Sequence, residues 1–299
     1  MKPLRRHACC PSGVMLICIL ALGLSYARAQ DTDIEKAIRA LNQNDVTGYI
    51  QPVADFMGAN MSAGWYRTAA IPQMGLNVSF DIIAMGSSVG DNQKSYTRNA
   101  PWGSFQTATA FGSTGTLSTD PNTGFSLRGS DGAFNTPIFP LATLQLRVGS
   151  FYGTEVIIRG LPIPSISGSP KVTFLGFGAR HSISQYIPES PVDLAGGIFY
   201  THISFGDLID MKSFSFGAQA SKSFSVLEVY GGLAYEKSTM DLGYTSTTAG
   251  GGNVSISLDG ANTFRATLGL GLNLAIFHIY GDANFGSVTN FSAGIGFGM

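Results

Sequence analysis

Long runs of alternating apolar and polar residues fill the last third of the chain. From Phe264 to Leu274 every second residue is apolar, while Arg265, Thr267 and Asn273 lie between them. This period of two is typical of a β-strand with one apolar and one polar face. A large soluble sandwich also alternates, but its strands average about five or six residues, whereas these runs reach the ~9 to 11 residues of a membrane-crossing strand. We therefore predict an all-β fold, a transmembrane antiparallel β-barrel of roughly 10 to 12 strands.

Two consecutive runs fit a single hairpin. A two-residue turn at 275–276 would pair Leu274 with Phe277, and Ala266 with Phe285. In this register the apolar faces of both strands coincide, and a slip of one residue would exchange the faces along the whole hairpin. The same alternation occurs upstream in Leu76 to Ala84, Leu144 to Val148, Phe214 to Ala220 and Leu227 to Tyr235.

The charged residues of these runs fall on the polar face, which in a barrel surrounds the lumen. A charge on the lipid face would cost ~2 to 4 kcal/mol near the middle of the membrane. The predicted lumen-facing polar residues are Arg147, Glu155, Arg159, Glu228, Arg265, His278 and Asp282. Small residues share this face at Gly269, Gly271, Gly294 and Gly296, where they would either leave space for a helix or a ligand or only permit curvature.

No catalytic or metal-ligating residue is predicted. His278 and Asp282 share a face, but four residues along a strand separate them by ~13 Å, so the two alone cannot form a hydrogen-bonded dyad. No close spacing of histidines and carboxylates indicates a metal site, and no cofactor is expected. Trp65, Tyr66 and Trp102 are predicted to be anchors at the lipid interface rather than ligand platforms.

The first 29 residues predict a cleaved signal peptide. A basic start with Lys2, Arg5 and Arg6 precedes an apolar stretch, and Ala27 and Ala29 supply the small residues of a cleavage site. The apolar stretch is shorter than the ~20 residues of a spanning helix. All three cysteines lie in this segment, so the mature chain is expected to hold no disulfide and no thiolate metal site.

The net charge of the mature chain limits the classes of partner that it can bind. The signal segment holds four of the 18 basic residues and none of the 19 acidic ones, so the mature chain has 14 basic residues and a formal charge of −5. A nucleic-acid partner would require a basic surface, and none is expected. Only 12% of residues are charged, about half the share of a soluble domain, which favours outer-membrane lipid as the surroundings.

The mature chain divides into a helical segment at 30–69 and a barrel at 70–299. The helical segment, a plug of the lumen or a periplasmic arm, is predicted to contain helix from Asp31 to Met61 with a break between Asn42 and Thr47. Its second helix would run from Gly48 to Asn60. Residues 86–140 lack a sustained period and predict a strand near 95–109 followed by a long excursion. Shorter loops are predicted at 246–253 and around 162–169.

The chain ends inside an alternating run, from Phe291 to Met299. A C-terminal strand of this kind resembles the signal read by the outer-membrane barrel assembly machinery, which is therefore an expected partner. The usual last residue of that signal is aromatic, whereas here it is Met299, and Phe297 is the nearest aromatic residue.

Four segments together resemble an uncharacterised family of outer-membrane barrels with a helical segment before the barrel. They are GYIQPVADFMGANMSAGWYRTA from Gly48, GLNVSFDIIA from Gly75, LGFGARHSISQYIP from Leu175 and LGLGLNLAIFHIYGDANFG from Leu268. The resemblance implies a fold and a place in the cell outer membrane of a Gram-negative bacterium, but no activity. A looser likeness, in architecture alone, is to the outer-membrane importers of fatty acids and hydrocarbons, in which an N-terminal helical hatch plugs the lumen.

Three functions follow as hypotheses. The favoured one is a channel or transporter for a small solute, with hydrophobic solutes among the candidates; it predicts a helix inside the barrel and a continuous cavity. The alternative is a structural or interaction barrel with a blocked lumen, which predicts tight packing of inward arginines and glutamates. A remote alternative is an outer-membrane hydrolase, although we expect no enzyme.

Overall fold

The computed structural model describes residues 38, 43–134, 136–162, 171–245 and 252–298. The predicted signal peptide, most of the predicted first helix and most of the loops predicted around 162–169 and at 246–253 lie outside these ranges. The described elements are α1 (Gln43–Ser62), β1 (Asn77–Ser88), β2 (Ser95–Ala100), β3 (Gly103–Ala108), β4 (Leu117–Thr119), β5 (Ser126–Arg128), β6 (Ile138–Phe151), β7 (Thr154–Gly160), β8 (Val172–Ser182), β9 (Asp193–Phe205), β10 (Ile209–Phe224), β11 (Leu227–Thr245), β12 (Asn253–Asp259), β13 (Phe264–Leu274), β14 (Phe277–Phe285) and β15 (Asn290–Gly298).

Ten of the described strands form a closed antiparallel barrel. Their order around the wall is β1, β6, β7, β8, β9, β10, β11, β13, β14 and β15, and β15 pairs again with β1. The last strand of the chain thus closes the barrel on the first, with Phe297 opposite Phe80. The predicted fold class is confirmed, with a strand number at the lower end of the predicted range.

The predicted hairpin of β13 and β14 is confirmed in its register. Leu274 pairs with Phe277 and Ala266 with Phe285, so the apolar residues of both strands face outward together. The turn between them places Ala275 at a φ of 58°, a left-handed conformation that suits a tight turn between twisted antiparallel strands.

The prediction that a strand near 95–109 belongs to the barrel is wrong. The residues form the hairpin β2–β3, which has its own two-stranded sheet and lies outside the wall, as does the hairpin β4–β5. The physical reason is the lack of an apolar face, because Tyr96, Arg98 and Ala100 alternate with Ser95, Thr97 and Asn99 and neither set could face lipid.

The predicted break between Asn42 and Thr47 is wrong for the residues that the structure describes, because α1 begins at Gln43 and continues through Gly48. Tertiary packing outweighs the low helix propensity here. Gly48 lies against the ring of Tyr96, where a Cβ atom would overlap the ring. Val46 and Tyr49, one on each side of it, are fully buried.

The two ends of the barrel differ. At one end, here called the short-turn end, tight turns such as 152–153, 225–226 and 275–276 join neighbouring strands, and β1 begins there. At the other, the long-loop end, the connection between β1 and β6 contains both small hairpins. None of the described helices is long and apolar enough to cross a membrane.

The outer face of the wall is apolar between two polar limits. On β10 the outward positions between Lys212 and Lys222 are Phe214, Phe216, Ala218 and Ala220. Ten residues at ~3.3 Å each, in a strand tilted by ~40°, span about 25 Å, which equals the height of the apolar band of outer-membrane barrels.

Candidate functional site: the filled lumen

Helix α1 occupies the long-loop half of the barrel interior. Phe56 packs edge-on against Phe111 of the loop between β3 and β4, with ring centroids 4.8 Å apart. The same apolar cluster includes Met211 and Met240 from the wall, and Ile38 upstream of α1. This half of the lumen is therefore packed like the core of a soluble protein.

One carboxylate ties α1 to the rim of the barrel. Asp55 accepts hydrogen bonds from the side-chain amide of Gln51, at 2.8 Å, and from the backbone N–H of Ala261, at 3.0 Å. Burial raises the pKa of Asp55, and these two hydrogen bonds oppose the rise. Gln51 also donates to the carbonyl of Asp259, so α1 is fixed to the connection between β12 and β13.

Beyond α1, residues 63–69 cross the rest of the lumen. The Ser62 hydroxyl lies 2.8 Å from that of Ser213, and the backbone N–H of Ala69 donates to the hydroxyl of Ser221 at 2.9 Å. Ser213 lies beside the long-loop limit of the apolar stretch of β10, and Ser221 is eight residues further along the strand, so the segment follows the wall toward the short-turn end. Thr68 reaches Glu228 there, at 2.7 Å.

Three buried arginines bind the backbone of this crossing segment. Arg159 of β7 donates to the carbonyl of Ala63 at 3.0 Å, Arg147 of β6 to that of Trp65 at 2.9 Å, and Arg180 of β8 to that of Thr68 at 2.8 Å. All three side chains are 1–2% exposed. Charged donors make stronger hydrogen bonds than neutral ones, so the arginines hold the segment by its backbone.

Two of the arginines, Arg147 and Arg180, are held in turn by two buried carboxylates, whereas Arg159 donates to the side-chain carbonyl of Gln145 at 2.8 Å. Arg147 lies between Asp81 and Glu155, at 3.3 and 3.1 Å, and Glu155 also accepts from Arg180 at 2.6 Å. Asp81 receives a further hydrogen bond from His278, at 2.9 Å. The groups belong to β1, β6, β7, β8 and β14, so one network crosses the lumen and joins half of the wall.

Trp65 is the aromatic centre of the crossing segment. Its ring stacks on Phe199 with centroids 4.8 Å apart, and the guanidinium of Arg159 lies 3.4 Å from the ring centroid on a cation–π contact. Trp65 and Tyr66 are 1% and 2% exposed, so the prediction that they anchor the lipid interface is wrong. The cause is their position in the lumen, not on the wall. Trp102 lies in the turn of the hairpin β2–β3 and donates to Ser118 at 2.9 Å.

The structure buries every predicted lumen residue inside the barrel, namely Arg147, Glu155, Arg159, Glu228, Arg265, His278 and Asp282. Arg265 pairs with Glu236 at 3.0 Å and is linked to Asp282 through Asn284, which accepts from Arg265 and donates to Asp282. Asp282 also accepts from Tyr230 at 3.0 Å, whereas His278 bonds to Asp81.

Sequence analysis did not select Asp81 or Arg180. Both lie at inward positions of their strands, so the alternation of inward and outward residues could have identified them. Their ion-pair partners are far away in the sequence, so the pairing itself could not be predicted. Among the described residues, no group of three or more histidines, cysteines and carboxylates is arranged to hold a metal ion.

Three of the four small inward residues lie directly against side chains of other strands, and Gly271 is the exception. A Cβ atom at Gly269 would overlap the ring of Tyr230, and one at Gly294 would overlap the ring of Tyr280. At Gly296 the same position meets His278 and Asp81. Gly269, Gly294 and Gly296 therefore accommodate inward side chains, which corrects the interpretation that these three leave space for a helix or a ligand.

These features define a closed antiparallel β-barrel of the outer-membrane type whose lumen is filled by its own N-terminal segment and an ion-pair network. The chain belongs to a family of unknown function, DUF6588, whose model matches residues 10–299. A comparison with curated proteins finds no match.

Solved structures with a similar fold include outer-membrane proteins. Ail, the attachment invasion locus protein of Yersinia pestis, is 14% identical, with 75% of this chain and 99% of that chain covered and a TM-score of 0.29. A loop-deletion mutant of OmpT, an outer membrane protein of Vibrio cholerae, is 8% identical at the same coverage, with a TM-score of 0.25. A BenF-like porin from Pseudomonas fluorescens is 8% identical over 75% of this chain and 98% of that chain, with a TM-score of 0.18.

Proposed function

We propose that the protein is a closed, non-conducting barrel of the outer membrane of a Gram-negative bacterium, which presents its long-loop end to a partner of the cell envelope. The observation that carries the proposal is the filled lumen. Helix α1, residues 63–69 and the network around Arg147 occupy it from the long-loop end to the short-turn end.

The outer face supports the membrane location. The apolar stretch between Lys212 and Lys222 matches the apolar band in height, and large apolar side chains such as Leu268 and Ile295 are 62% and 56% exposed. Exposure of this kind would be costly in water but is favourable in lipid. Outer-membrane barrels have short periplasmic turns and longer outer loops, so the long-loop end would face the cell exterior. Strand β15, which closes the wall, would be the element read by the barrel assembly machinery.

Buried charge supports the closed state. Arg147, Arg159 and Arg180 each have hydrogen-bond partners on the crossing segment, and a solute path would have to break these bonds and rehydrate the guanidinium groups. A permanently open pore would instead surround its inward charges with water. The packing is the one that a structural or interaction barrel requires.

A gated channel or transporter for a small solute, hydrophobic solutes included, is the second candidate. It is favoured by one observation, the position of α1 inside the barrel, since displacement of α1 would uncover an apolar pocket that includes Met211 and Met240. We do not propose hydrolysis. In the part of the chain that the structure describes, Asp81 of the pair His278–Asp81 accepts a hydrogen bond from Arg147 and lies 3.6 Å from Arg67, and neither partner is a hydroxyl group that could act as a nucleophile.

Planar-bilayer recording tests the proposal. The refolded mature chain should give no conductance steps, while heat-modifiable migration in gels shows a folded barrel. The outward-facing substitution Ala218→Val is the control and should behave identically. Steady conductance of the wild-type chain would overturn the closed barrel. If only a chain lacking residues 31–61 conducts, the gated transporter becomes the better description.

A further inference from the structure

The N-terminal segment runs through the barrel in the direction opposite to β1. At the start of α1, Asp45 pairs with Arg98 of β2 at 2.7 Å and Tyr49 donates to the carbonyl of Asp131, and both partners belong to the long-loop end. At the other end of the segment, Thr68 contacts Ser221 and Glu228 beside the short turn at 225–226.

The length of the segment agrees with a complete crossing. Ser62 lies beside Ser213 and Thr68 beside Ser221, and these two wall residues are ~26 Å apart along β10. Six extended residues reach ~20 to 22 Å, and the side chains supply the rest. Helix α1 then covers the remaining distance to the long-loop end.

We infer that the barrel holds residues 43–70 as a threaded strap, which runs from one side of the membrane to the other with the start of α1 at the long-loop end and Ala70 at the short-turn end. Ile38, upstream of α1, is buried in the apolar cluster at the long-loop end. The inference rests on the proposed function for its orientation: if the long loops face the exterior, the start of α1 is accessible from the cell surface.

The contacts explain how the strap is held at one register. The arginines donate to backbone carbonyls, which every residue has. These hydrogen bonds alone would therefore allow the segment to bind in several registers. Trp65 removes this freedom, because its ring fits between Phe199 and the guanidinium of Arg159. Gly178 is part of that fit, since a Cβ atom there would lie 3.0 Å from the indole ring.

Single-cysteine labelling on intact cells tests the threading. The predicted mature chain has no cysteine, so each introduced thiol is read against an unlabelled background, with the wild-type chain as the blank. Thr47→Cys and Ala70→Cys place thiols at exposed positions at the two ends of the strap. Asn122→Cys in the turn between β4 and β5 and Ser225→Cys in a short turn are the reference positions.

With a membrane-impermeant maleimide, Thr47→Cys should label like Asn122→Cys, and Ala70→Cys like Ser225→Cys. Labelling of Thr47→Cys and Ala70→Cys from the same side would overturn the threading. The orientation is tested independently of the threading. If Ser225→Cys labels on intact cells while Asn122→Cys labels only after permeabilisation, the barrel has the opposite orientation. The threading still holds in that case, provided that each strap position labels like its reference position.

Disulfide formation gives a second test that does not depend on the membrane. The double variants Ser62→Cys with Ser213→Cys and Thr68→Cys with Ser221→Cys bring together groups whose hydroxyl oxygens are 2.8 and 3.3 Å apart. Each should form a disulfide that mass spectrometry detects, whereas the exchanged pairings, 62 with 221 and 68 with 213, should stay reduced. Crosslinking of the exchanged pairings in a heat-modifiable barrel would overturn the inference.

Discussion

Replacement of Arg147 by methionine should destabilise the barrel strongly, because it leaves two buried carboxylates with less positive charge. Removal of one partner from a buried ion pair typically costs ~3 to 5 kcal/mol. Asp81 keeps His278 and Glu155 keeps Arg180, so the lower end of that range applies. The lost hydrogen bond to the carbonyl of Trp65 has a charged donor and adds ~1.5 to 3 kcal/mol. We expect a loss of roughly 4 to 6 kcal/mol in the free energy of unfolding.

The assay is urea unfolding from lipid vesicles, followed by tryptophan fluorescence, since Trp65 lies inside the lumen. Lys222→Met is the matched control, because Lys222 is exposed, and it should change the free energy of unfolding by less than ~0.5 kcal/mol. The double variant Arg147→Met with Glu155→Gln should lose less than the sum of the single variants, since the two residues share a bond. A loss below ~1 kcal/mol for Arg147→Met would refute the view that this network holds the lumen closed.

Three further substitutions, one of them with a matched control, probe the packing and the outer face. Gly269→Ala should cost ~1 to 3 kcal/mol in unfolding experiments because its methyl group would meet the Tyr230 ring, whereas Gly271→Ala, whose nearest contact would be at 3.4 Å, should cost little. Trp65→Ala should cost ~3 to 5 kcal/mol and weaken protection of the crossing segment from hydrogen exchange. Leu268→Arg on the outer face should cost ~2 to 4 kcal/mol in lipid vesicles, and a change below ~0.5 kcal/mol would contradict membrane exposure.

Strand parity made the wall predictable. The alternation in Phe264–Leu274 and Phe277–Phe285 gave the register of the β13–β14 hairpin, because only one pairing keeps both apolar faces together. Parity also separates inward from outward charge along each strand. The interior was less accessible to this reasoning, since the period says which face a residue occupies but not what lies opposite it.

The pairings inside the lumen depend on contacts between distant parts of the chain. His278 bonds to Asp81, 197 residues away, rather than to the nearby Asp282 on its own strand. Trp65 lies between a helix and the first strand, where an aromatic residue is often an anchor at the lipid interface. Only the path of residues 63–69 shows that it lies inside the lumen. Gly269 likewise suggests open space until Tyr230 is placed against it.

The strap contacts also set a requirement for any transport cycle. A hydrogen bond to a charged donor contributes ~1.5 to 3 kcal/mol, so the three arginine bonds to residues 63–68 together contribute roughly 5 to 9 kcal/mol if they act independently. At that cost an open barrel would be populated at less than about one part in several thousand. A solute that opens it would have to bind the open state at least ~10⁴-fold more tightly than the closed state. A surface partner of the long-loop end meets no such requirement, since it can bind while the strap stays in place, and this difference favours the interaction role over transport.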